Sequence, residues 1–189
     1  IAYSDGIDAS HEFICDAKRI MDEEIYGMED VKLQLIQIIG QWIVNPDAAA
    51  CSIALEGPPG TGKTSLVMNA LSKIMHRKSA LIPLAGIEDG CALVGHSSTY
   101  EGSKHGRIVD ILKQTEIMNP IIIFDELDKV SKTAKGEEIN GILTHLTDTT
   151  QNYEFHDKYF SEINFDLSKA LFVFCYNESS EINRVLLDR

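Results

Sequence analysis

Apolar residues at Phe13, Ile14, Ala17, Ile20 and Met21 recur at helical spacing, and Ser10 stands where a helix cap belongs. The spacing predicts a helix from Ser10, after a loose leader from Ile1 to Ala9. A second helix is predicted through Val31, Leu35, Ile38, Ile39 and Trp42. It stops at Asn45-Pro46, because the residue before a proline is disfavoured in helical conformation. Glu29 and Asp30 near its start suit the positive end of the helix dipole.

Beyond Pro46 the pattern changes to short apolar runs alternating with helical stretches. Ile53-Ala54-Leu55 precedes a glycine-rich turn and a helix carrying Leu66, Val67, Ala70, Leu71 and Ile74. Ala80 to Leu84 is the next run, followed by a long polar loop and a helix with Ile108, Ile111 and Leu112. Ile121-Ile122-Ile123-Phe124 ends in Asp125-Glu126, and a helix with Ile139, Ile142, Leu143 and Leu146 follows. After an irregular stretch, Ala170 to Tyr176 is the last run, and a short helix through Ile182 and Leu186 ends the sequence. Uninterrupted apolar strands separated by helices predict an α/β fold, a doubly wound parallel sheet covered on both faces. Pro83 cannot donate to a ladder, so its strand is expected at the sheet's edge. The expected organisation is a leader over 1–9, N-terminal helices over 10–45 and the α/β domain over 46–189.

A length of 189 residues allows one domain with a sizeable core. The formal net charge of −12 argues against nucleic acid as the main partner, since that affinity rests on basic side chains. Cys15, Cys51, Cys91 and Cys175 form no CxxC pair and read as reduced thiols. No stretch reaches the length of a membrane span and no targeting signal opens the chain. An intracellular soluble protein, cytoplasmic or in an organelle matrix, is expected. The six histidines show no metal-ligand spacing.

The chemistry is concentrated in Gly57-Pro58-Pro59-Gly60-Thr61-Gly62-Lys63-Thr64, which fits GxxxxGK[ST] between a predicted strand and a predicted helix. Gly60 and Gly62 let backbone N–H groups approach phosphates, and the following helix, beginning around Ser65, turns its positive end to the same anion. Lys63 is suited to the terminal phosphates and Thr64 to Mg²⁺. A dinucleotide fingerprint is not met, because Lys63-Thr64-Ser65 follows Gly62 where GxGxxG needs a third glycine. Asp125 and Glu126 fall at the carboxyl end of a buried strand, where ligands of such sheets bind. Asp125 is suited to hold Mg²⁺ through water and Glu126 to polarise an attacking water, which points to hydrolysis.

These motifs together resemble the AAA+ P-loop NTPases, and in detail the ATPase module of Lon-type proteases. Glu24-Ile25-Tyr26-Gly27-Met28 with Val31-Lys32 is similar to that family's entry segment, which implies that Tyr26 and Gly27 line the adenine pocket. Gly95-His96, Thr99-Tyr100, Gly102 and Gly106-Arg107-Ile108 match a Lon-specific stretch, which implies a polypeptide-gripping pore role for Tyr100. Asp125 to Lys129 resembles the Walker B segment. Gln151-Asn152, Phe155, Asp157, Tyr159 and Phe165 to Lys169 resemble a segment that other AAA+ branches lack. Asn177 falls at the sensor-1 position, and Leu186-Leu187-Asp188-Arg189 matches the segment bearing the arginine finger. The resemblance implies a homohexamer that hydrolyses ATP to pull unfolded polypeptide through a central pore.

Departures lie in the gripping loop. Ser97-Ser98 replace two basic residues, Glu101 replaces the apolar residue after the pore tyrosine, and Lys104-His105 replace a Met-Pro pair. The 189 residues end before the small helical domain and the Ser-Lys protease domain that the resemblance implies, so peptidase activity is not expected of them. Two rivals remain at this level: a P-loop small-molecule kinase, which needs an Arg-rich acceptor lid that the loop after Gly86 does not supply, and a nucleotide-gated scaffold with little turnover. A GTPase would need an NKxD signature, which is absent.

Overall fold

The computed structural model describes residues 3–45, 52–99 and 101–188, with the backbone alone over 3–10. Tyr100 and Arg189 lie outside the described residues. The chain divides into two units, Ile1–Ala48 with Ser65–His76, and Ala49–Thr64 with Arg77–Arg189.

In the first unit a helix runs over Tyr3–Glu24 and another over Glu29–Val44. The first begins well before Ser10, so most of the expected leader is helical: no proline interrupts it, and a single interior glycine, Gly6, costs only about 1 kcal/mol. Gly27 and Met28 reverse the chain between the two helices, both with positive φ (73° and 59°). Lys32, its side chain 4% exposed, donates to Asp22 Oδ1 at 2.8 Å and so joins the second helix to the first. Ser65–His76, the greater part of the helical stretch after the phosphate loop, completes the unit. The stretch is α over Lys63–Ser65, widens to π over Leu66–Leu71 and returns to α over Ser72–Met75. Leu66, Val67, Ala70, Leu71 and Ile74 are buried along it, and the Lys73 ammonium pairs with the Glu24 carboxylate.

The second unit is built on a parallel sheet of strands β1 (Ser52–Glu56), β2 (Ser79–Pro83), β3 (Ile121–Asp125) and β6 (Leu171–Tyr176), in the order β1-β6-β3-β2. β2 lies at the edge, as Pro83 requires. β3 and β6 are central and have apolar side chains on both faces because both are covered. Ile122, Phe124, Phe172, Phe174 and Tyr176 join one core cluster with Ile108, Ile111 and Leu112 of the helix Arg107–Thr115 and Ile139, Leu143 and Leu146 of the helix Ala134–Thr147. The alternate residues Ile121, Ile123, Val173 and Cys175 are fully buried as well.

Two features were not legible in the periodicity. The polar loop after β2 contains a one-turn helix, Cys91–Val94. The irregular stretch before β6 forms a two-stranded antiparallel ribbon, β4 (Phe155–His156) with β5 (Asn164–Phe165). The fully buried Asp157 explains both. Its Oδ2 accepts the Gly106 N–H at 2.7 Å and its Oδ1 accepts the Tyr159 N–H at 2.9 Å, while Lys158 N–H donates to Val94 O at 2.7 Å. The two stretches that carry the Lon resemblance therefore meet each other.

Candidate nucleotide site

β1 ends at Glu56, and the chain turns through Gly60 and Gly62, whose φ values of 78° and 93° are costly for a residue with a Cβ. The turn brings Lys63 back over its own loop. Lys63 is 7% exposed, and its ammonium donates to Gly57 O at 2.6 Å, Pro58 O at 3.0 Å and Asn177 Oδ1 at 3.2 Å. Pro58 and Pro59 stiffen the exposed arm of the loop, and Thr61 Oγ1 donates to Pro58 O at 3.0 Å.

Strand order decides what faces the loop. β6 lies between β1 and β3, so its end delivers Asn177 between the loop and the carboxyl end of β3. Thr64 Oγ1 donates to Asp125 Oδ2 at 2.8 Å, and Asp125 Oδ1 accepts the Glu126 N–H at 2.9 Å. Glu126 is exposed and takes a left-handed backbone conformation, φ 59° and ψ 43°, which is disfavoured for a residue with a Cβ and common at functional positions. Gly57 N–H donates to Tyr176 O, and the Glu56 carboxylate accepts the Ser179 N–H at 3.1 Å, so the segments after β1 and β6 are tied together. Lys63, Thr64, Asp125, Glu126 and Asn177, chosen from sequence alone, therefore converge at one end of the sheet. Tyr26, Gly27 and Ser65 belong to the other unit, where Tyr26 is fully exposed.

The donor set suits a metal triphosphate. An ammonium, a hydroxyl and a carboxylate stand together, the last two already hydrogen-bonded, and hard oxygen ligands of this kind suit Mg²⁺. Beneath them Cys175 is buried, and burial, with the nearby Asp125 charge, pushes its thiol up to about 12. It is a packing residue, not a nucleophile. Asp128, named in sequence only as part of the Walker B resemblance, received no role of its own there. Its side chain is 1% exposed and its Oδ1 accepts the Asn177 N–H at 3.3 Å. The only signal was a third carboxylate shortly after Asp125, indistinguishable in sequence from a solvated charge.

A parallel sheet with a glycine-rich phosphate loop after β1, and an acidic residue ending a neighbouring strand, defines a P-loop nucleotide-binding protein. The family model described as ATPase family associated with various cellular activities (AAA) matches residues 53–189, and the chain belongs to that family. It is an ATPase module of the Lon type. A Lon protease homolog of Acanthamoeba polyphaga mimivirus is 37% identical over 185 residues, covering 97% of this chain and 18% of that protein. A Lon protease of Clostridioides difficile is 42% identical over 176 residues, covering 93% and 22%. A peroxisomal Lon protease homolog 2 of Zea mays is 38% identical over 173 residues, covering 92% and 19%. The chain spans about a fifth of the length of these relatives. Membership sets aside the small-molecule kinase. Among the described residues no helix is long and apolar enough to cross a membrane, and no cluster of His, Cys, Asp and Glu resembles a dedicated metal site.

Proposed function

We propose that the chain binds ATP with Mg²⁺ on Gly57, Pro58, Pro59, Gly60, Thr61, Gly62, Lys63 and Thr64, hydrolyses it, and in the longer protein drives unfolding and translocation of polypeptide. The observation that carries this reading is the Thr64–Asp125 hydrogen bond beside the Lys63–Asn177 contact, which joins the metal-type and phosphate-type ligands in one cluster. Mg²⁺, when bound, neutralises charge on the phosphate oxygens. Thr64 and Asp125 would hold it, Asp125 through water. Lys63 exchanges neutral carbonyl acceptors for anionic phosphate oxygens, and such charge-assisted bonds are roughly twice as strong as neutral ones. Glu126, exposed and turned out by its left-handed backbone, accepts the proton of the attacking water, and Asn177 orients that water. In the same reading Tyr26 and Gly27 meet the adenine, Ser65 closes the loop, Tyr100 grips the polypeptide and Arg189 reaches the γ-phosphate of a neighbouring subunit of a homohexamer. Relatives named Lon protease support the polypeptide substrate and an intracellular setting, cytoplasm or organelle matrix.

Phosphate release tests the reading. The wild-type chain is expected to release phosphate from ATP, and the longer protein to do so faster with unfolded polypeptide. Glu126→Gln keeps the size and polarity of the side chain but takes no proton, so it should bind ATP as tightly as wild type and release almost none. Normal turnover by that variant removes Glu126 as the base.

A further inference from the structure

We infer that Asp128 is a positioning residue for this reaction: it holds the Asn177 peptide at the end of β6 so that the Asn177 amide oxygen stays against Lys63. The inference rests on the proposed hydrolysis. A carboxylate whose side chain is 1% exposed is rare, because desolvating a charge is costly unless it is paired and hydrogen-bonded. Oδ1 is hydrogen-bonded, while Oδ2 is charge-paired without a hydrogen bond of good geometry. Oδ1 accepts the Asn177 N–H at 3.3 Å, and Oδ2 lies 3.0 Å from the Lys129 ammonium. Burial alone would raise its pKa, but Lys129 and the Asn177 N–H outweigh that and hold it below the ordinary carboxylate range, so the acceptor stays charged.

The position of the bond gives it a task beyond packing. The ladder pairing β1 with β6 ends at Glu56 and Tyr176, so Asn177 is the first residue beyond the strand. Asp128 sits in the single 3₁₀ turn Leu127–Lys129, directly after Glu126. One carboxylate therefore links the turn bearing the base to the residue whose Oδ1 stands 3.2 Å from Lys63 Nζ. Displacement of Asn177 would leave Lys63 on its two loop carbonyls and Thr64 on Asp125 while misorienting the group that aligns water. Small misplacements of this kind can cost about a hundredfold in rate.

The test compares wild type, Asp128→Ala, Asp128→Asn, Asn177→Ala and the double alanine variant. It measures kcat and KM for ATP and the hydrogen exchange of the Asn177 backbone amide. Asp128→Ala should lower kcat by about tenfold to a hundredfold with KM within about threefold. Asp128→Asn keeps an acceptor oxygen and should stay within about threefold of wild type in kcat. The double variant should be no slower than Asn177→Ala, since both act through one group. The Asn177 amide should exchange faster in Asp128→Ala and not in Asp128→Asn. If the alanine variant does not fold, Asp128→Leu, with the same number of side-chain heavy atoms and no acceptor, takes its place with the same expectations. Normal kcat without the acceptor, losses that multiply in the double variant, or unchanged Asn177 exchange overturns the inference. A wild-type chain that releases no phosphate overturns the hydrolysis reading instead, while the exchange arm still decides whether Asp128 holds Asn177.

Discussion

Lys63 carries more structure than its motif alone suggests. Its ammonium satisfies two loop carbonyls and the Asn177 side chain, so the residue that would meet phosphate also shapes the loop. Lys63→Ala should weaken ATP binding by about tenfold to a hundredfold, the worth of a charge-assisted bond. It should also cost about 1 kcal/mol of stability, because three acceptors lose a donor. Calorimetric titration and thermal melting check the two effects, and unchanged affinity would remove the phosphate-loop assignment. Cys175 offers a pH test. Its folded pKa is raised from 9.0 to about 12, so the stability it contributes is complete below pH 9 and is lost as pH rises toward 12. The alkaline fall in Tm should be shallower in Cys175→Ala than in wild type. At pH 8.5 an alkylating reagent should label the exposed Cys15 and spare Cys175.

At the scale of elements, one point that tolerates no side chain is the start of the helix Arg107–Thr115. A Cβ on Gly106 would stand 2.0 Å from Leu93 O and 2.6 Å from Gly95 N, both backbone atoms, and its own N–H is held by Asp157. Gly106→Ala must therefore separate this helix from the turn Cys91–Val94 and from the β4–β5 ribbon. A loss of about 2 kcal/mol or more is expected by denaturant titration, with ATP affinity falling less than in Lys63→Ala. The departures in the polar loop after β2 also find a place here. His105 lies 2.7 Å from Asp110 Oδ1 and packs against Tyr159 and Phe160, so the substituted residue anchors the base of the loop. His96 N–H donates to Lys104 O at 3.0 Å and closes that base.

At the scale of the whole molecule, the proposed assembly makes a concentration-dependent prediction. Arg189 follows the helix Arg184–Leu187, whose cap Asn183 accepts the Val185 N–H at 2.9 Å. If Arg189 serves a neighbouring subunit, hydrolysis should rise steeply with protein concentration. A finger supplied in trans is worth about 10³–10⁵ in rate in GTPases. In the longer protein, mixing Glu126→Gln, which keeps Arg189, with Arg189→Ala, which keeps Glu126, should restore activity that neither has alone. An inactive mixture that co-assembles by light scattering would count against action in trans.

Sequence alone determined the strands of the parallel sheet, the helices Glu29–Val44, Arg107–Thr115 and Ala134–Thr147, and the phosphate loop. These are local: helical or strand periodicity, glycines at positive φ and a proline at an edge act through neighbouring residues. Thr64, Asp125 and Asn177 could be chosen singly for the same reason, each standing at the end of an apolar run or a glycine turn. Their meeting was decided by the strand order β1-β6-β3-β2, which joins positions more than fifty residues apart. The ribbon of β4 and β5 and the burial of Asp128 and Asp157 were likewise decided by the fold. A carboxylate in a sequence has no partner, and only the tertiary structure brought Asp128 to the Asn177 N–H and Asp157 to the Gly106 N–H, where desolvation makes those bonds obligatory.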